Sequence, residues 1–271
     1  MKLTDAISLT RPSHLVANAL AYTLGMVIAL RFYGFNQDFF IGLISLLLVY
    51  SGVYIFNDVT DLEEDKMHEV NWKKQRPLPS NKVNPGFAKK ELVVLIIAGL
   101  LLSTLVNWLF MIVLLLIVVI NFFYTGLRLK RWPMFSMNLL VALQVMKIVL
   151  GWLSINTNTL MMPLTFFITY GLGYGLSISV YKKKRFSSEK RFRLYAIITG
   201  LSALVMFVAS IIIHDWIRLP LLMVALISTV FGLILFKLKD KLSKEFTKGL
   251  WVAAMMVLMI IIAFVIDLIL F

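Results

Sequence analysis

The stretch YIFNDVTDLEEDK, residues 54–66, brings five of the chain's fourteen carboxylates to the end of a long apolar run. If the preceding helix continues through it at about 100° per residue, Asp61 and Asp65 fall about 60° and about 20° from Asp58, while Glu63 and Glu64 point elsewhere. Three carboxylates on one face, with Asn57 one turn before Asp61, repel one another unless a cation sits among them. Hard oxygen donors suit magnesium, which commonly takes one or two protein carboxylates and fills its shell with water and substrate phosphate oxygens. The spacing therefore predicts a magnesium site on Asp58, Asp61 and Asp65 that also holds a diphosphate. An acidic helix end that merely reaches water has no need to keep its acids in phase.

A second residue with chemical potential is Lys147, near the middle of an apolar segment. An ammonium there costs roughly 3 kcal/mol unless it faces a polar interior or reaches the interface. Gln144 lies one turn earlier and Asn138 further back, so this segment is expected to turn a polar stripe inward.

The elements that must position these residues are set by the solvent. Of 271 residues, 60% are hydrophobic and only 15% charged, and the mean hydropathy is +0.89; this is the composition of a bilayer protein. Apolar runs fall at about 14–32, 38–56, 91–107, 109–127, 135–153, 160–181, 194–213, 217–236 and 248–270. A spanning helix needs roughly 20 apolar residues, so 91–127 reads as two short helices turning near Asn107 and Trp108. The expectation is an all-α, polytopic bundle of about nine transmembrane helices, a single domain over 1–271. The first run lacks a small-residue cleavage site and is followed by equally apolar ones, so it reads as a span and not as a signal peptide.

With nine spans, almost every Lys and Arg falls on one side, leaving Arg31 and Arg218 opposite and Lys147 within a segment. The positive-inside rule then puts the N-terminus and the basic loops in the cytoplasm of a multi-pass cell-membrane protein. The net charge of +13 is accounted for by topology and by contact with anionic lipid headgroups, with no nucleic-acid partner needed. A secondary transporter would place its acids near mid-membrane in broken helices; here they sit at one rim. The absence of cysteine excludes a disulfide framework and thiolate chemistry. Gly171, Gly173 and Gly175 read as helix-packing residues.

At this point the residues carry a resemblance. Asn57-Asp58-x-x-Asp61-x-x-x-Asp65 resembles the first aspartate-rich motif of the UbiA superfamily of intramembrane prenyltransferases. LTRPSHLVANALAYTLG (9–25) is similar to that family's first helix with its Arg-Pro entry, and RPLPSNKV (76–83) to the segment following its acidic motif. YTGLRLKRWPMFSMNLLVAL (124–143) looks like its Tyr, Leu-Lys-Arg and Asn pattern, here Tyr124, Leu129-Lys130-Arg131 and Asn138. The resemblance implies nine helices around a central cavity open to lipid, capped by cytoplasmic loops at about 57–91 and 182–193. It further implies magnesium-dependent transfer of a polyprenyl group from a polyprenyl diphosphate to an aromatic, small or lipid acceptor. Carried over by position, Asp58, Asp61 and Asp65 would be the catalytic metal ligands, Asn57 would orient the metal, and Arg76 and Lys130 would contact diphosphate. Asn18, Tyr124 and Asn138 would line the cavity, with Lys147 facing it.

One departure matters. Family members usually carry a second aspartate-rich motif after helix six, but here that loop reads YKKKRFSSEKRFR, and between Glu91 and Asp215 the only carboxylate is Glu189. Lys184 and Arg185, with Lys183, could supply the positive charge directly. Lys184, Arg185 and Glu189 also resemble the second motif of the branch that transfers phosphoribose from phosphoribosyl diphosphate to polyprenyl phosphate. That transfer is one alternative, and a catalytically inactive lipid-binding homologue is the other.

Overall fold

The computed structural model of the protein describes residues 3–30, 32–67, 74, 76–129, 132–181 and 188–213, and among these there are helices and turns but no strand. The helices are α1 (Leu3–Leu9), α2 (Pro12–Leu30), α3 (Asp38–Thr60), α4 (Leu62–Lys66), α5 (Pro85–Ser103), α6 (Trp108–Gly126), α7 (Pro133–Leu153), α8 (Leu164–Tyr181) and α9 (Glu189–Ile213). The first seven apolar runs are helical, as α2, α3 and α5 to α9. The last two, 217–236 and 248–270, lie outside the described residues, as do Lys130, Lys184 and Arg185.

Helices α2, α3, α6, α7 and α9 are long and apolar enough to cross a bilayer, and α8 contains a shorter apolar stretch. At 1.5 Å per residue, the 23 residues of α3 extend about 35 Å, enough for a hydrocarbon core of about 30 Å. Helix formation is obligatory here, because no water in the bilayer would satisfy an open backbone. Large apolar side chains such as Val94, Ile97 and Leu101 on α5 face outward, as lipid contact allows.

The predicted division of 91–127 is present. The chain turns through Thr104–Val106, and Asn107 caps α6 by accepting from the Phe110 N–H at 2.8 Å. The other end of its amide donates to the Leu153 carbonyl over 2.8 Å, which fixes the turn against the end of α7.

Two close helix crossings hold the frame. A Cβ on Gly25 of α2 would lie 1.8 Å from the Ile148 carbonyl oxygen of α7, and one on Gly151 would lie 1.8 Å from the Tyr22 carbonyl oxygen. These reciprocal contacts put the α2 and α7 backbones against each other, as small residues permit between helices in lipid. Helices α3 and α5 cross in the same manner. Gly52 meets Leu92 and Ile96, Gly99 meets Ser45 and Val49, and the Ser45 hydroxyl donates to the Gly99 carbonyl at 2.6 Å. Helix α3, clamped along its length, is the rail on which the acidic stretch is carried.

Candidate active site

Helix α3 does not run unbroken through the acidic stretch. It ends at Thr60, Asp61 turns the chain at φ −93°, ψ 4°, and α4 begins at Leu62. The break is slight: the Asp61 N–H still donates to the Asn57 carbonyl at 3.0 Å, and the Asp65 N–H to the Asp61 carbonyl at 2.8 Å. The buried side chains of Asp58 and Asp65 still converge, as the helical phase predicts, while Asp61 sits half-buried at the break. Among the described residues no group of three or more carboxylates and imidazoles is arranged to hold one ion. Glu63 and Glu64 are exposed. Glu63 pairs with Lys66 at 3.0 Å, and Glu64 lies 3.7 Å from Arg128.

What Asp58 and Asp65 converge on is Arg76. Its Nη1 donates to Asp58 Oδ1 at 3.2 Å and to Asp65 Oδ2 at 2.8 Å. The segment that delivers Arg76 is knotted on itself. The Arg76 carbonyl accepts from the Ser80 N–H and hydroxyl, and the Pro77 carbonyl accepts from the N–H groups of Lys82 and Val83. Leu78 and Val83 are both buried beneath, so RPLPSNKV is a plug with apolar roots. Burial and the neighbouring Arg11 charge pull the Arg76 pKa down from its ordinary value, against the upward pull of Asp58 and Asp65.

Arg11 is the site residue that sequence reasoning passed over. It donates through Nη2 to the same Asp58 oxygen and stands over the Tyr54 ring, 5.7 Å from its centroid. Its backbone lies in the left-handed region at φ 51°, a conformation costing about 1 kcal/mol for a residue with a Cβ. Its carbonyl accepts from His14 and Leu15 in the first turn of α2. The signal available in the sequence was the Arg-Pro pair at a helix start, which fixes where α2 begins and so where Arg11 must turn.

Beneath Asp58, one face of α3 carries Tyr54 and Tyr50 at four-residue steps, about 6 Å and about 12 Å deeper along the helix. The Tyr54 hydroxyl accepts from Asn18 Nδ2 at 2.8 Å, and His14 meets its ring edge-on at 5.7 Å. Asn18 thus belongs to the interior below the acids. At Tyr50 stands Lys147, whose Nζ lies 4.9 Å from the ring centroid and donates to Gln144 Oε1 at 3.1 Å. Lys147 is 8% exposed, and the buried Tyr50 hydroxyl makes no hydrogen bond among the described residues.

Two further side chains have surroundings that the helical period did not signal. Asn57 Oδ1 accepts from the Thr125 hydroxyl of α6, so its side chain ties α3 to α6. Asn138 is exposed near the start of α7 and at about 100° per residue points about 180° from Lys147. The polar stripe expected on that helix therefore narrows to Gln144 and Lys147. Tyr124, half-buried, lies beside Thr125 at the end of α6.

The donor set suits a hard cation. Two buried carboxylates present oxygens to a single cationic nitrogen, which marks a position where positive charge is required and oxygen donors are in place.

Membrane-length helices, a rim where carboxylates face guanidinium groups, and tyrosines with a buried lysine beneath define a class: a multi-pass helical membrane protein with a charged site at one end of an aromatic interior. The chain belongs to the UbiA prenyltransferase family, whose sequence profile matches residues 18–255. It is 31% identical over 142 residues to a digeranylgeranylglyceryl phosphate synthase of Saccharolobus solfataricus, covering 52% of this chain and 48% of that one. A protein of the same name from Sulfurisphaera tokodaii is 29% identical over 143 residues, 53% and 49% of the two chains. The chain thus spans about half the length of the curated relatives it matches. The fold extends further. A structure described as bearing on digeranylgeranylglyceryl phosphate synthase in membranes superposes with a TM-score of 0.73 at 18% identity, covering 98% of both chains. A UbiA homologue from Archaeoglobus fulgidus bound to DMAPP and Mg2+ gives 0.71 at 15% identity, over 96% of this chain and 99% of that one.

Proposed function

We propose that the protein transfers a polyprenyl group from a polyprenyl diphosphate to a glyceryl phosphate lipid, with the acidic rim in the cytoplasm and the prenyl chain among the helices. The observation that carries this reading is the convergence of Asp58 and Asp65 with Arg11 and Arg76 directly above Tyr54 and Asn18. A charged headgroup and an apolar tail need this juxtaposition, because each part is costly in the other's surroundings. The relatives support the acceptor class, since their name describes a glyceryl phosphate carrying two geranylgeranyl chains. It also favours prenyl transfer over phosphoribosyl transfer.

In the reaction the acceptor hydroxyl oxygen forms a bond to the allylic C1. The bond from C1 to the diphosphate oxygen breaks, the diphosphate leaves with the electron pair, and the hydroxyl proton is lost to water. Asp58 and Asp65, with Asp61 at the break, would hold magnesium, which when bound neutralises charge developing on the leaving group. Arg76 and Arg11, which both reach Asp58, would donate to phosphate oxygens. Asn18 and Tyr54 hold α2 against α3 so that the two halves of this binding surface stay in register. Lys130, Lys184 and Arg185, which lie outside the described residues, stay in the proposal as further sources of positive charge.

The test is to incubate the purified protein in nanodiscs with magnesium, a labelled geranylgeranyl diphosphate and a singly prenylated glyceryl phosphate. Formation of a doubly prenylated lipid with stoichiometric diphosphate release is expected. Label transfer only to aromatic acids, or no transfer to either class of acceptor, would refute the assignment.

A further inference from the structure

Arg76 stands where a cation is required. One of its nitrogens bridges Asp58 and Asp65, and Arg11 pairs with the same Asp58 oxygen. The two carboxylates are 2% and 3% exposed, so water does little to screen them. Two guanidinium groups against two carboxylates leave this group formally neutral. A divalent ion entering alone would have to break buried, charge-assisted hydrogen bonds and would leave two uncompensated positive charges in a poorly solvated place. An ion arriving with a diphosphate brings its own counter-charge and offers displaced guanidinium groups new phosphate partners. The plug from Arg76 to Val83 is held by its backbone bonds and by buried Leu78 and Val83, so the exchange needs only the Arg76 side chain to turn.

We propose that Arg76 is an exchangeable latch: it closes the Asp58–Asp65 pair in the substrate-free protein, keeps out a divalent ion arriving alone, and passes its hydrogen bonds to diphosphate when ion and diphosphate enter together. The inference rests on the proposed diphosphate-binding role of this rim. It makes loading of the site cooperative: an ion without diphosphate meets a closed pair, and diphosphate is what opens it.

The experiment is equilibrium dialysis of the full-length protein in nanodiscs against Mn2+, with and without inorganic diphosphate, counting Mn2+ retained above a protein-free blank. In the wild type, retention should be at least about tenfold tighter with diphosphate than without it, the scale of one or two charge-assisted hydrogen bonds. Arg76→Gln should bind Mn2+ alone about tenfold more tightly than the wild type and lose most of the diphosphate enhancement. Arg128→Gln removes the same charge from the exposed rim and should change retention less than about twofold, which separates a latch from a general field effect. Equal Mn2+ affinity in Arg76→Gln and wild type overturns the latch. So does wild-type binding of Mn2+ that is as tight alone as with diphosphate while radiolabelled diphosphate is itself retained, a comparison needing no variant to fold. Tighter Mn2+ binding in Arg76→Gln, with diphosphate failing to bind either protein, would uphold the latch against lone ions and overturn the prenyl diphosphate reading instead.

Discussion

Asn18 Nδ2 donates to the Tyr54 hydroxyl over 2.8 Å, tying α2 to α3 one turn beneath Asp58. Asn18 is 3% exposed, so Tyr54→Phe leaves an amide donor without its partner, at a cost of about 1–3 kcal/mol. Asn18→Ala removes the donor and should cost a similar amount. The double variant should be less destabilised than the sum of the two, with a coupling of at least about 0.5 kcal/mol. Thermal unfolding in detergent of the wild type and the three variants measures this; strict additivity would mean the bond contributes nothing.

This contact also marks where the sequence was legible. The face holding Asp58 and Asp65 follows from helical period alone, and a small break at Asp61 did not disturb it. The bilayer forces apolar runs into helices, so seven helices could be placed without knowing their neighbours, five of them long and apolar enough to span. The arginines could not be placed in this way. Arg11 lies 47 residues from Asp58, and Arg76 lies 18. Their arrival depends on a left-handed turn and on the knotted plug, neither of which carries a periodic signal. The partner of Asn57 was hidden for a related reason: Thr125, from whose hydroxyl it accepts, lies 68 residues away on another helix.

Asp58→Asn and Asp65→Asn each keep shape and hydrogen-bonding capacity while removing one charge from the pair bridged by Arg76. Each should lower kcat/KM for prenyl transfer at least about a hundredfold, or about 2.7 kcal/mol of transition-state stabilisation. Membrane insertion and detergent elution profile should be unchanged. Chelation of divalent ions should abolish turnover in the wild type, and added magnesium should restore it. Wild-type rates in either variant, or turnover that survives chelation, would remove the acids from the chemistry.

The crossing of α2 and α7 gives a prediction about stability alone. A Cβ at Gly25 would fall 1.8 Å from the Ile148 carbonyl oxygen, whereas one at Gly200 of α9 would meet nothing within 4 Å among the described residues. Gly25→Ala should therefore push two backbones apart at a cost of about 3 kcal/mol and lower Tm by more than about 5 °C. Gly200→Ala should leave Tm unchanged or slightly higher, since alanine is the better helix former. Matched melts of the two proteins decide it; equal losses would mean that α2 and α7 are not packed this closely.

Lys147 separates packing from function most sharply. Its ammonium is buried among Gln144 and Tyr50, and no carboxylate pairs with it among the described residues. Replacing a buried charge by an apolar side chain of similar length is often neutral or stabilising. A lysine kept there only by packing would thus be dispensable. Lys147→Met should hold or raise Tm. If Lys147 and the Tyr50 hydroxyl face bound substrate, the same variant should reduce turnover at least about tenfold, and Tyr50→Phe should reduce it by a smaller factor without loss of Tm. The opposite pattern, lower Tm with full turnover, would assign the lysine to the frame. The combination expected is stability kept and turnover lost, because an ammonium with no carboxylate beside it among the described residues is costly at this depth unless a ligand uses it.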